Sequence, residues 1–317
     1  MQIDMSRIGR GTGPVSNNKI FSALKSITMT EVIRDGDGNA NLRQDYTSGY
    51  KRWIEACSVA PVTGLEQFSQ TYFANGVTQG YDIFFSEHRG RRFRTLKGDY
   101  PYVRLSVDDW CHLEDDEIRP NDALAVTCPF YGDGGPPRHF NELLDRCLEL
   151  GVPVMIDAAY FGTCYGVSFD YSHPAIEMLG FSLSKPFSIQ SFRVGLLFMK
   201  RSLGYLEEIQ VQSNYFNKVA AYIGLTLMQQ FPADFIPSTY SSAHQKVCRD
   251  LGLIPSHCVM LANVKDDDRR FDEILQDERF EEPQLPERAY RRVCVSSYLS
   301  DSDPLWKKVA KKVLGRG

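Results

Sequence analysis

The sequence predicts an α/β protein, a mostly parallel sheet with helices on its faces, from three observations. A helical stretch runs directly into a buried apolar strand over 138–156, a second apolar strand opens through a glycine into another helix, and polar residues stand where three such strands end. In chain order, "SQTYFA" at 69–74 reads as a strand, and Asn75 and Gly76 form the turn into the helix "VTQGYDIFFSEH". From 138 to 150, Phe140, Leu143, Leu144, Cys147 and Leu148 recur at helical spacing, and Gly151 ends that helix. "VPVMI" is short and wholly apolar, as a strand covered on both faces must be, and it leads into Asp157. "LGFSLSK" at 179–185 is the third strand, and 203–231 reads as one long helical stretch. A last helix is expected from the cap "DSDP" with Pro304 in its first turn and an apolar face of Leu305, Trp306, Val309, Val313 and Leu314. The loosest segments are 1–18, 35–41 and 276–288.

Bulk properties exclude several function classes. At 317 residues the chain can bury a sizeable core. Its 43% hydrophobic and 24% charged residues are ordinary for a soluble globular protein, and no apolar run reaches the ~18 residues of a membrane helix. The N-terminal residues lack the order of a secretory signal, so a cytoplasmic protein is expected. A net charge of −4 argues against wholesale coating of nucleic acid. None of the eight cysteines has the two-residue spacing of a zinc ribbon or redox motif, and no histidines are spaced as a metal pair, so structural thiols and no metal are expected.

The strand ends carry the chemistry, because ligands bind open α/β sheets beyond the carboxyl ends of their strands. Gly76 before a helix offers backbone N–H groups and a positive dipole end to a phosphate. An aspartate such as Asp157 can hold a pyridine nitrogen protonated, and a desolvated lysine such as Lys185 can act as an amine nucleophile towards an aldehyde. Together these are requirements of pyridoxal phosphate chemistry.

The run "DAAY" at 157–160, with "SLSK" at 182–185 and "RVG" at 193–195, resembles the fold type I pyridoxal-phosphate enzymes, specifically the class I/II aminotransferases. The resemblance implies a three-layer sandwich with a mostly parallel central sheet plus a small, reduced α+β domain. Its divisions would be 1–45 for the N-terminal arm and part of the small domain, 46–230 for the cofactor-binding domain and 231–317 for the small C-terminal domain. It implies that Asp157 partners the pyridinium, Tyr160 bonds the cofactor O3′, Lys185 forms the Schiff base, and Ser182 and Arg193 hold phosphate. Gly76, Val77 and Thr78 would cradle the phosphate by their backbone, and Tyr100, in "GDYPY", would stack on the ring. Arg292, with Arg291 as the alternative, would grip the substrate carboxylate, and Tyr46 would be lent to a neighbouring subunit's phosphate site. A homodimer is implied.

The chain departs from the family where an asparagine is usual and "CPFYGDG" at 128–134 places Tyr131. The residues themselves leave other readings open: Tyr100 as core packing, Arg292 as an exposed charge, and the basic run 87–98 as a solvated turn or as a grip on a phosphorylated, nucleotide-linked or nucleic-acid-borne substrate. The functional expectation is a pyridoxal-phosphate-dependent enzyme acting on an amino acid or similar amine, as an aminotransferase. The alternatives are a decarboxylase, lyase or carbon–carbon bond-forming enzyme, or a non-catalytic binding protein of the same fold.

Overall fold

In the computed structural model, residues 7–9, 11–265, 267–272 and 290–301 are described. The expected helix at 304–314 and the loose segment 276–288 lie outside them. Twelve strands are present among these residues: β1 Val62–Thr63, β2 Gln70–Ala74, β3 Arg92–Thr95, β4 Trp110–His112, β5 Asp122–Thr127, β6 Val154–Ala158, β7 Phe169–Asp170, β8 Ile176–Ser182, β9 Gly195–Met199, β10 Ile254–Pro255, β11 Leu261–Lys265 and β12 Tyr290–Cys294. The longer helices are α1 Asn18–Ser26, α2 Leu42–Glu55, α3 Val77–Glu87, α4 Phe140–Leu150, α5 Lys218–Gln230 and α6 Phe235–Leu251.

The main sheet has seven strands in the order β2-β9-β8-β6-β5-β3-β4. Every neighbouring pair is parallel except the two that involve β9, which runs antiparallel between β2 and β8. That reversal brings the start of β9 to the same edge as the ends of β2 and β8: Ala74 and Ser182 both pair with Gly195, while Thr127 pairs with Asp157 and Asp157 with Gly180. Strand alternation sends the two faces of the sheet into separate cores. Leu124, Val126, Val154, Ile156, Leu179 and Phe181 pack on α2, α4 and α5, while Ala123, Ala125, Met155 and Met178 pack on α3. Each buried large aliphatic side chain contributes roughly 1.5–3 kcal/mol relative to exposure. A three-stranded antiparallel sheet, β10-β11-β12, packs with α6 on a third core.

The long helix expected over 203–231 is broken. A short helical segment ends near Gln212, Asn214 takes a left-handed φ of 56°, and the Asn217 side chain accepts from the Ala220 amide at 3.0 Å, capping α5. Apolar spacing continues across the break, which is why the sequence reads as one helix; Asn217 competes for the backbone by capping it. Among the described residues, no helix is long and apolar enough to cross a membrane. All eight cysteines are free, seven of them buried.

Candidate active site

The aligned strand ends surround a cavity of about 150 Å³, lined among others by Thr78, Tyr100, Tyr131, Asp157, Lys185 and Arg193. Val77, Thr127, Tyr160, Ser182 and Gln190 complete much of its wall. The glycine turn after β2 positions one end. Gly76 caps α3 at φ +78°, and a Cβ there would lie 2.2 Å from Arg193 Nη2, so only glycine lets the arginine close on the helix start. Arg193 itself adopts a left-handed φ of 56° two residues before β9, and its Nη2 donates to Thr78 Oγ1 at 2.8 Å. A guanidinium, a helix N-terminus and the Thr78 hydroxyl thus converge on one spot, an arrangement suited to an anion.

At the opposite side, Asp157 is the penultimate residue of β6, buried, with Oδ1 accepting from the Ala159 amide at 2.8 Å. Burial raises its pKa to about 7, against the Ala159 hydrogen bond, and the nearby Asp99 carboxylate pushes the same way. Lys185 follows β8, and its Nζ donates to the Thr12 carbonyl and to Thr12 Oγ1, the latter at 3.2 Å. Burial lowers its pKa, so the neutral amine is more accessible than in solution.

Ser182 lies in the wall with its hydroxyl donating to Ser184 Oγ at 2.8 Å. Tyr100, raised to about 12 chiefly by burial, tilts against Tyr131 with ring centroids 5.5 Å apart, and Tyr131 stacks on Tyr160 at 5.8 Å. Arg292 is buried behind these rings: its guanidinium lies 4.2 Å from the centre of the Tyr131 ring, and Nη1 donates to the Tyr160 hydroxyl at 3.4 Å. Its neighbour Arg291 takes the other side of β12 and pairs with Asp272 at 2.9 Å. The alternation of the strand separates the two arginines, and Arg292 is the one beside the cavity.

Two expectations need correction. Tyr46 is fully buried in its own chain and donates to the Gly195 carbonyl at 2.8 Å, so it is a strut beneath β9 and does not reach towards another subunit. The basic run at 87–98 is a solvated turn only at Arg89 and Gly90, which are exposed; most of its other cations are paired within the chain rather than free to grip an external phosphate. Arg94 is wholly buried and pairs with Asp122 at 2.6 Å, Arg92 pairs with Asp116 and Asp122, and Lys97 pairs with Asp115.

Three contributors were not read from the sequence. Thr12 reaches Lys185 from the N-terminal segment. Gln190 carries a buried Oε1 with no hydrogen-bond partner. Asp99 accepts from the Tyr100 and Thr127 amides at 2.7 and 2.9 Å and from the Thr127 hydroxyl, while Thr127 Oγ1 accepts from the Tyr131 amide at 2.7 Å. One half-buried carboxylate therefore ties down three wall residues. The "GDYPY" stretch held that signal, since an aspartate next to a buried tyrosine can serve its backbone.

A family model described as aminotransferase class I and II matches residues 92–247. Solved structures match the fold across nine-tenths of the chain. Tyrosine aminotransferase from Leishmania infantum is 14% identical with a TM-score of 0.61, covering 91% of this chain and 89% of that one. A probable N-succinyldiaminopimelate aminotransferase from Thermus thermophilus is 15% identical, with a TM-score of 0.62 and the same coverages of 91% and 89%. The pyridoxal-phosphate-bound C-S lyase from Staphylococcus hominis is 11% identical with a TM-score of 0.58, covering 93% and 91%. No curated protein matches the chain by sequence. The matched region contains Tyr100, Asp157, Ser182, Lys185 and Arg193; over it the chain is similar to the class I and II aminotransferases, and the solved structures show that it has their fold type I architecture.

Proposed function

We propose that this protein is a pyridoxal-phosphate-dependent enzyme acting on an amino acid or amino-acid-like amine, as an aminotransferase. The observation that carries the reading is the single cavity in which Lys185, Asp157 and the Gly76–Arg193 anion corner meet. The residues fit the cofactor on their own chemistry. The anion corner suits its phosphate, the buried Asp157 forms no ion pair among the described residues and suits a protonated ring nitrogen, and Tyr100 supplies a flat wall. When bound, pyridoxal phosphate supplies an aldehyde for amines and a ring that takes up an electron pair.

The protein's own groups do the rest. Gly76, Val77, Thr78, Ser182 and Arg193 hold the phosphate end. Asp157 keeps the ring nitrogen protonated, and Tyr160, with Tyr131, donates near O3′. Lys185, its ammonium disfavoured by burial, accepts the proton from the substrate Cα and returns it, as general base and then acid. Arg292 pairs with the substrate carboxylate, and the stacked rings of Tyr131 and Tyr160 orient its guanidinium. We propose the expected homodimer as the working assembly and 46–230 as the cofactor-binding unit.

A lyase, decarboxylase or carbon–carbon bond-forming activity is the second reading. It is favoured by Tyr131, whose ring stands where the family usually has an asparagine and lies against both the Tyr160 ring and the Arg292 guanidinium, changing the pocket that selects the bond to be broken. Mixing the cofactor-loaded protein with a panel of amino acids separates the two. A transaminase leaves pyridoxamine phosphate after one half-reaction, whereas a lyase or decarboxylase returns the aldehyde form with a released product. If no amine in the panel changes the bound cofactor, a non-catalytic role replaces both.

A further inference from the structure

None of the eight cysteines has been given a role in the cavity, yet two of them face each other beside it. Cys164, in the loop after Tyr160, and Cys258, just before β11, form an isolated antiparallel bridge. The flanking hydrogen bonds run from the Val259 amide to the Thr163 carbonyl at 3.0 Å and from the Tyr165 amide to the His257 carbonyl at 2.9 Å. This pattern makes 164 and 258 a non-hydrogen-bonded pair, the position where opposed Cα atoms come within about 4.5 Å and side chains are nearest. A disulfide spans Cα separations of about 4.4–6.8 Å, so the backbone already has the required spacing.

Both thiols are wholly buried and point into the same space: Thr163 Oγ1 lies 3.3 Å from Cys258 Sγ, and Cys164 Sγ lies 3.5 Å from the Tyr160 carbonyl. Gly134 covers them, and a Cβ there would sit 2.5 Å from Cys258 Cβ. We propose that Cys164 and Cys258 are an oxidisable dithiol, a modification site at which a hydroperoxide makes an intrachain disulfide between the Tyr160 loop and the small sheet.

Burial raises the Cys164 thiol. Burial also opposes ionisation of Cys258, but contacts with Cys164 and Thr163, the Met260 amide and the nearby Lys185 carry its pKa below the ordinary value, which makes Cys258 the first nucleophile. The Cys258 thiolate attacks one peroxide oxygen, the O–O bond breaks, and the departing hydroxide takes up a proton to leave as water, giving a sulfenic acid. The Cys164 sulfur then attacks the Cys258 sulfur, the S–O bond breaks, and the second oxygen leaves as water with the Cys164 proton. Two thiols lose two electrons and the peroxide gains them. The pair lies directly behind Tyr160, a residue of the cavity wall, whose carbonyl accepts from Cys164 Sγ. The bond would fasten the loop holding Tyr160 to the strand pair that carries Arg292.

The test is to treat the folded full-length protein with hydrogen peroxide, block free thiols, digest without reductant and map linked peptides by mass spectrometry. The expected result is one link, Cys164 to Cys258, with the remaining six of the eight thiols still blocked by the reagent, and full reversal by dithiothreitol. Cys258→Ser and Cys164→Ala should each abolish the link while keeping the parent's circular dichroism. If either variant fails to fold, the map of the parent protein decides alone. Links between other cysteines, eight unreacted thiols, or a 164–258 link that forms only in urea would overturn the proposal.

Discussion

Asp157, buried near the end of β6, and Asp99, half-buried in the loop after β3, stand on either side of β5, and neither forms an ion pair among the described residues. Burial raises both, Asp99 to about 6 and Asp157 to about 7. Because these folded pKa values stand above the unfolded value near 3.9, their contribution to stability is complete below about pH 4 and is lost as pH rises through 6 to 7. The cofactor-free protein should therefore lose about 2–4 kcal/mol between pH 5 and 8 from this pair, read as a falling Tm. Asp157→Asn should flatten that fall, and adding the cofactor should reverse it by giving Asp157 a cation. If the parent and the variant melt with the same pH profile, the carboxylate is not held as described. Asp99→Ala removes the acceptor for the Tyr100 and Thr127 amides, and an unpaired buried amide costs about 1–3 kcal/mol. Chemical denaturation should register that loss, and a variant of parental stability would remove Asp99 from the frame of the cavity.

The element that matters most is the turn from β2 into α3, where conformation and sterics both demand glycine. Gly76→Ala places a side chain at φ +78° and against Arg193, a strain of about 1–3 kcal/mol. The cofactor's dissociation constant should rise at least tenfold by equilibrium dialysis, with the fold retained; unchanged affinity would mean that this corner does not hold phosphate. This turn was legible in the sequence because strand, glycine and helix start are adjacent in the chain. Asp157, Lys185 and Arg193 were legible for the same reason, each standing within a few residues of a strand end. The basic run was not, because the carboxylates that neutralise Arg92 and Arg94 arrive more than twenty residues later, on the loop before β5 and at its first residue. Asn217 shows a similar limit: apolar spacing predicts a helix through it, whereas its cap decides where the helix restarts.

Over the whole molecule, the cavity is closed by segments far apart in sequence. Thr12 reaches Lys185 across 173 residues, and Arg292 reaches Tyr160 across 132. Thr12 and Gln190 carry no local spacing signal, since only the packed fold gives them neighbours; Tyr46, given an intersubunit role by resemblance alone, is packed by α2 against β9 of its own chain. Arg292→Leu should lower kcat/KM for carboxylate-bearing amines by about 10–150-fold, the worth of a hydrogen-bonded charge, and should spare amines that lack the carboxylate. Equal losses for both substrate classes would make Arg292 a scaffold residue.

The account rests on a covalent attachment at one lysine. The direct measurement is to load the purified protein with pyridoxal phosphate, reduce it with borohydride, and locate the modified residue by peptide mass spectrometry. A phosphopyridoxyl group on Lys185 alone, absent when Arg193 and Gly76 are replaced together, is the predicted result. A group spread over surface lysines, or fixed on any lysine other than Lys185, would contradict it.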